Sequence, residues 1–225
     1  MDADQRLIEL DLSHVSTDVV SVLIDDVSDT TIFGDIARAN TGRPEILELL
    51  LDCPDTPPDV RDLIAGTVSL PVVRKAHDLR AEKTKEPRHE SLMQKIQRLN
   101  VSERIQLALK GGREIRGILA RDPNKQVVLS VLENGKITES EVELITKNRS
   151  TVEDVLRRIS KNREWMKKYA ILYALITNPK TPAGIAVTFV SSLKTRDLAL
   201  LQRNKNVPEA VRIASKKLYI ARKQR

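Results

Sequence analysis

The stretch that decides the fold is residues 178–185, which read NPKTPAGI. It contains an Asn, a Thr three residues later and then a Pro, and related forms of this pattern occur along the second half of the chain. The four copies are Asn134/Ile137/Thr138, Asn148/Thr151/Val152, Asn178/Thr181/Pro182 and Asn204/Val207/Pro208. Aliphatic residues at helical spacing follow each copy, as on the apolar face of an amphipathic helix. The pattern therefore predicts a series of short helices, in which each helix begins just after the previous one ends.

The residue types of this pattern suit a helix end followed by a helix start. Asn tolerates the left-handed backbone conformation that closes many helices, and we expect that conformation at each of the four Asn residues. Thr181 is expected to cap the next helix, and Pro182 is expected to occupy its first turn. Two further pairs fit the reciprocal capping box, namely Thr138 with Glu141 and Ser150 with Glu153.

The first half of the chain shows the same punctuation. Residues 53–60 repeat the order of turn, cap, proline and aliphatic residue. We predict helices over 19–24 after a cap at Ser16 or Thr17, over 32–39 before Asn40 and Gly42, over 46–51 after Pro44, and over 72–79 after Pro71.

A longer period accompanies the short pattern. When the sequence is aligned with itself at a shift of about 44 residues, residues 127–134 align with residues 171–178. This period is within the range of HEAT and armadillo repeats. Residues 126–132 are rich in Val, but the alignment favours a helix over a strand there. The predicted fold class is therefore an all-α, HEAT/armadillo-like α-solenoid of short antiparallel helices.

Four segments of the second half resemble bacterial HEAT-like helical-repeat proteins of unassigned function. They are residues 162–166 (NREWM), 178–182 (NPKTP), 196–198 (RDL) and 206–208 (NVP). The likeness runs from Leu92 to Leu218 and implies a fold, with almost no chemistry. A looser likeness to leucine-rich-variant repeats, some of which carry an iron–sulfur cluster, fails because a cluster needs several thiolates and the chain has one Cys.

The two halves of the chain carry opposite charge. Residues 1–80 hold 16 acidic and 7 basic side chains, a net of −9, whereas residues 81–225 hold 15 acidic and 31 basic ones, a net of +16. Residues 81–90 contain no aliphatic residue larger than Ala, which is typical of a solvated linker. We therefore predict an acidic helical region over 1–80, a linker over 81–90 and a basic helical-repeat region over 91–225.

Basic side chains cluster in two places in the second half and are candidates for binding a polyanion. The candidate residues are Arg157, Arg158, Lys161, Arg163, Lys167, Lys168, Lys216 and Lys217. Aromatic residues make up only 3% of the chain, and no nucleic-acid-binding motif accompanies the basic clusters. Helix surfaces that are simply rich in Lys and Arg explain the same residues, so both interpretations stay open.

The remaining polar residues do not form a recognisable catalytic or metal-binding pattern. Cys53 is alone and is interpreted as a small buried residue. His14, His77 and His89 are far apart in the sequence, which does not favour a metal site. The pair at 111–112 is interpreted as a helix end and not a phosphate loop, and Trp165 as a packing anchor.

These observations predict a non-enzymatic protein-interaction scaffold without a cofactor or a bound metal. The expected partner is another protein, and the basic half favours an acidic one. The alternative is a backbone-directed nucleic-acid-binding protein that uses the basic region. No apolar run approaches the roughly 20 residues of a membrane span, and the acidic start lacks the features of a signal peptide, so we expect a cytoplasmic protein.

Overall fold

The computed structural model describes residues 12–26, 30–67 and 91–224. All regular secondary structure in these ranges is helical, and it comprises 15 α-helices. The prediction of an all-α fold is therefore confirmed. The chain divides into two compact units, Met1–Leu119 and Ala120–Arg225, which are described separately below.

The first unit contains seven of the described helices, after a 3-10 turn at Leu12–His14. They are α1 (Thr17–Asp25), α2 (Thr31–Ala39), α3 (Pro44–Asp52), α4 (Pro58–Thr67), α5 (Leu92–Arg98), α6 (Val101–Lys110) and α7 (Arg113–Leu119). The Ser16 hydroxyl accepts a hydrogen bond from the Val19 amide, which confirms the predicted cap of α1. The helices predicted before Asn40 and after Pro44 are confirmed as α2 and α3.

Helix α1 lies at the centre of the first unit and packs against α2, α3, α5 and α6. Polar contacts join it to residues far along the chain. The Ser16 hydroxyl donates to Glu103 at 2.8 Å, and the buried Asp26 carboxylate accepts from the Ile115 amide at 3.3 Å. Helices α5 to α7 therefore belong to the first unit, and the two units meet in sequence between Leu119 and Ala120. The predicted helix over 72–79 and linker over 81–90 lie outside the described residues.

The second unit contains the other eight described helices. They are α8 (Lys125–Glu133), α9 (Glu139–Lys147), α10 (Glu153–Lys161), α11 (Arg163–Lys167), α12 (Tyr169–Thr177), α13 (Ala183–Phe189), α14 (Thr195–Leu201) and α15 (Glu209–Lys223). Helix α12 packs against α9, α11 and α13, while α15 packs against α13, α14 and a 3-10 turn at Val190–Ser192. The Val-rich stretch at 126–132 is helical, as predicted.

The interior of the second unit is aliphatic. One cluster of buried residues joins α12 to α15 and includes Leu172, Ile176, Leu198, Leu201 and Val211. The inward side chains Ile171, Leu172 and Leu175 of α12 are at most 4% exposed. Ile185 is only half-buried, since α13 turns Ala186 inwards in its place.

The four Asn residues of the repeated pattern form the same turn, but not the one predicted. No non-glycine residue in the described ranges has a positive φ, so the expected left-handed conformation is wrong. Each Asn side chain instead accepts a hydrogen bond from the amide two residues later. The pairs are Asn134 with Lys136 (2.9 Å), Asn148 with Ser150 (3.0 Å), Asn178 with Lys180 (2.9 Å) and Asn204 with Asn206 (2.9 Å). Asn is thus favoured by its side-chain acceptor, which forms an Asx turn.

Thr151 and Thr181, each three residues after an Asn of the pattern, close the preceding helix and do not cap the next one. The Thr181 hydroxyl donates to the Leu175 carbonyl at 2.6 Å, and Thr151 donates in the same way to Ile145 at 2.7 Å. The predicted cap at Thr181 is therefore wrong. Pro182 takes the N-cap position of α13, directly before its first turn.

The two predicted capping boxes have different outcomes. Thr138 and Glu141 form the box at the start of α9, with both reciprocal hydrogen bonds present. The second box is wrong, because Val152 occupies the N-cap position of α10 and provides no side-chain bond.

Asn178 additionally ties two helix ends together. Its side chain is buried, and its Nδ2 donates to the Thr146 carbonyl at 2.7 Å and to the Asn148 carbonyl at 3.0 Å. These carbonyls belong to the last turn of α9 and the residue that closes it. One side chain therefore satisfies backbone groups of α9 while it shapes the turn after α12.

Candidate functional site

The predicted polyanion-binding residues lie on two groups of helices in the second unit. Six of them follow one another on α10, on α11 and at Lys168, which joins α11 to α12. The other two, Lys216 and Lys217, lie on α15. All eight are exposed, but α10 and α15 have their main contacts with different helices.

Carboxylates from the same unit pair with half of the eight candidates. The pairs are Arg157 with Glu153, Arg158 with Glu133 (3.8 Å), Lys167 with Glu164 (2.7 Å) and Lys168 with Glu139 (2.6 Å). The hydrogen bond from Lys167 holds the pKa of Glu164 below its usual value, and the bond to Glu139 raises the pKa of Lys168. The positive field around α10 and α11 is therefore partly neutralised by the protein itself.

The other four candidates are available to an external anion. Within the described residues, Lys161, Arg163, Lys216 and Lys217 make no ion pair with a carboxylate. Lys216 and Lys217 are adjacent on α15, whereas the other two lie on either side of the α10–α11 junction. The basic residues thus form two small groups and not one continuous surface.

Exposed aliphatic side chains are a feature that the sequence interpretation missed. In the second unit they are Leu144 (65% exposed), Val152 (41%), Leu200 (57%), Ile213 (61%) and Ile220 (44%). Ile213 and Ile220 are seven residues apart and share one face of α15 with Lys216 and Lys217. The spacing of these two residues was the signal that could have identified this face from the sequence.

A cleft of about 260 Å³ lies beside α8 and α10. Its lining includes Arg121, Asp122 and Lys125 together with the buried side chains of Val128 and Val155. Lys125 is paired with Asp154 at 2.7 Å, and this hydrogen bond lowers the pKa of the Asp154 carboxyl. The mixed lining does not select one class of ligand.

Tyr169 is the centre of a small polar cluster at the start of α12. Its hydroxyl donates to Asp197 and accepts from the Lys194 amide at 3.1 Å, while the Lys194 ammonium lies 4.8 Å from the ring centroid. Burial, and then the bond to Asp197, raise the pKa of Tyr169, so the hydroxyl stays protonated at neutral pH. The cluster connects α12 to α14 and provides no activated nucleophile.

Several residues singled out from the sequence do not form a reactive site. Cys53 is partly exposed and not fully buried as predicted, and its carbonyl accepts from Arg61 at 2.6 Å. Trp165 is half-buried on α11. Within the described ranges, no group of three or more His, Cys, Asp or Glu side chains is arranged to hold a metal ion. His77 and His89 lie outside those ranges.

None of the helices described is both long enough and apolar enough to span a membrane.

No protein-family model, curated protein or solved structure matches this chain. The resemblance to HEAT-like helical-repeat proteins therefore stays a prediction.

Proposed function

We propose that this chain is a non-enzymatic protein-interaction scaffold. The observation that supports this function is the set of exposed aliphatic side chains on the second unit, which range from 41% to 65% exposed. Four of them lie on helices whose opposite faces are buried, and Val152 occupies the N-cap position of α10. On α15, for example, Val211 is fully buried while Ile213 is 61% exposed. A rigid helix that displays aliphatic side chains to solvent is suited to bury them against another protein.

The scaffold that we propose is a HEAT/armadillo-like α-solenoid of short antiparallel helices. Two observations in the second unit support it. Helices α8 and α12, which the shift of about 44 residues aligns, bury corresponding positions such as Val131 and Leu175, both 0% exposed. The Thr151 hydroxyl also closes α9 by donating to the Ile145 carbonyl, and the Thr181 hydroxyl closes α12 in the same way.

A basic surface for nucleic acid is the second candidate function. The four candidates without a carboxylate partner in the described residues favour it, because each can contact a phosphate. The four internal ion pairs weigh against it, although exposed pairs of this kind are weak and exchange readily. We favour the protein scaffold because phosphates offer no apolar surface to the exposed Leu and Ile side chains.

Affinity purification of the full-length chain from a cell extract separates the two functions. Capture is compared at about 50 mM and about 200 mM salt, with and without nuclease, because a protein that contacts 6–10 phosphates loses roughly 10³–10⁵ in affinity between these concentrations. The matched variants replace either the exposed aliphatic residues Leu200, Ile213 and Ile220 by Ser, or the basic candidates Lys161, Arg163, Lys216 and Lys217 by Gln.

The scaffold function predicts nuclease-resistant capture of specific proteins, which persists at the higher salt concentration and is lost in the Ser variant. Capture that disappears with nuclease and with the Gln variant, but survives in the Ser variant, would show that the chain binds nucleic acid instead.

A further inference from the structure

Helix α15 presents one face to the unit and the other to solvent. Val211 and Ser215 on the inward face are 0% exposed, and the helix packs on α13 and α14. The Arg222 guanidinium donates to the Leu193 carbonyl and to the Ser191 carbonyl, each at 2.6 Å, and so holds the last turn of the helix in place. The outward face is therefore carried by a fixed helix.

The outward face combines aliphatic and cationic side chains in a regular order. Ile213 and Ile220 are separated by two helical turns, which is about 10 Å along the axis. Lys216 and Lys217 lie between them and are exposed as well.

The charge of α15 indicates the sign of the partner. The helix carries five basic residues, Arg212, Lys216, Lys217, Arg222 and Lys223, against one acidic residue, Glu209. Within the described part of the chain, Lys216, Lys217 and Lys223 make no ion pair. Carboxylates from a partner can therefore reach these ammonium groups without displacing an internal partner.

The aliphatic residues indicate the class of partner. A nucleic acid satisfies the Lys side chains but leaves Ile213 and Ile220 without apolar contacts. An amphipathic helix with Asp or Glu beside its aliphatic stripe satisfies both kinds of side chain at once. We propose that the outward face of α15, defined by Ile213, Lys216, Lys217 and Ile220, binds an acidic amphipathic helix of a partner protein. This inference rests on the scaffold function proposed above.

The test uses a displayed library of helical peptides with the length of α15, fifteen residues, whose surface positions are randomised among acidic, basic, polar and aliphatic residues. The library is selected on the full-length chain. The variants for comparison are I213S/I220S and K216E/K217E. The matched controls are L63S, which removes an exposed aliphatic side chain of the first unit, and K180E, which reverses another exposed charge. Circular dichroism and Trp165 fluorescence verify that every variant is folded.

The selected peptides should carry aliphatic residues spaced by three, four or seven positions, with Asp or Glu beside them. Their affinity should fall at least about tenfold for each α15 variant and should not change for either control. Failure to select any helix, selection of helices without excess acid, or equal binding to the α15 variants would overturn the proposal. Tighter binding of the same face to duplex DNA or to vesicles of anionic lipid would also overturn it.

The same variants keep this inference separate from the scaffold function. If the full-length chain captures specific proteins and the α15 variants capture them equally well, the scaffold function stands and the assignment of its surface to α15 is wrong. If no protein is captured at all, the scaffold function itself fails.

Discussion

Replacing Asn178 by Ala tests whether side chains determine the helix ends of the second unit. The substitution removes three hydrogen bonds, to the carbonyls of Thr146 and Asn148 and from the amide of Lys180. Because Asn178 is only 3% exposed, water cannot fully replace these partners. At about 1 kcal/mol for each bond, and more where a group is left buried without a partner, we expect a loss of about 3 kcal/mol in the free energy of unfolding.

Asn204 provides the matched control for this substitution. It occupies the same place in the repeated pattern and accepts from the Asn206 amide at 2.9 Å, but that bond is exposed. Replacing Asn204 by Ala should therefore cost about 1 kcal/mol or less. The difference between the two variants isolates the contribution of the two bonds from Asn178 to α9.

Urea unfolding monitored by tryptophan fluorescence is the appropriate measurement. The chain has a single Trp, and Trp165 lies on α11, so its signal reports the second unit. Linear extrapolation gives the free energy of unfolding in water, provided that the slope is the same for both variants. Equal losses for the Asn178 and Asn204 variants would refute the reasoning, because they would mean that the bonds to α9 contribute nothing.

Three further substitutions test the interior of the second unit with the same fluorescence signal. Leu175→Ala should destabilise the unit by about 2–5 kcal/mol, since the side chain is 0% exposed; a loss near zero would contradict this burial. Ser215→Ala should stabilise it by about 1 kcal/mol, since the buried hydroxyl has no hydrogen-bond partner among the described residues; a clear loss of stability would reveal a partner. For Tyr169, the folded state has the higher pKa, so this contribution to stability is complete below about pH 10 and is lost as the pH rises through the raised value. Tyr169→Phe should abolish that alkaline component, and an unchanged pH profile would show that folding does not raise the pKa of Tyr169.

The sequence predicted the helices better than it predicted their ends. Aliphatic spacing located the helix that buries Leu175, because the periodicity of a helix face is a local property of the chain. The spacing did not show which of two roles Thr181 has. A Thr at this position can cap the next helix or donate to the Leu175 carbonyl of the preceding helix, and it does the second. The contacts from Asn178 to α9 involve residues about thirty positions away, and no local pattern specifies such contacts.

The candidate site was predicted less completely than the fold. Charge clustering selected residues such as Lys216, which is exposed, but it did not reveal that Lys168 is paired with Glu139, which lies on another helix. The exposure of Ile213 was missed because an Ile within a helical pattern is normally assigned to the buried face. Only the packing of Val211 and Ser215 shows which side of α15 faces inwards.

Because the described helix ends have negative φ angles, they can use residues other than Gly. The choice of residue in turn affects the conformational entropy of the unfolded chain. A left-handed helix end usually needs Gly, which has the largest number of backbone conformations to lose on folding. In this chain the turns use Asn and Thr, and Pro stands next to several of them, at Pro44, Pro58, Pro182 and Pro208. Replacing a flexible residue by a more restricted one at a compatible position lowers the entropy of the unfolded state and stabilises a protein by about 0.4–1 kcal/mol. The many connections between short helices therefore cost less conformational entropy on folding than glycine-rich connections of the same length.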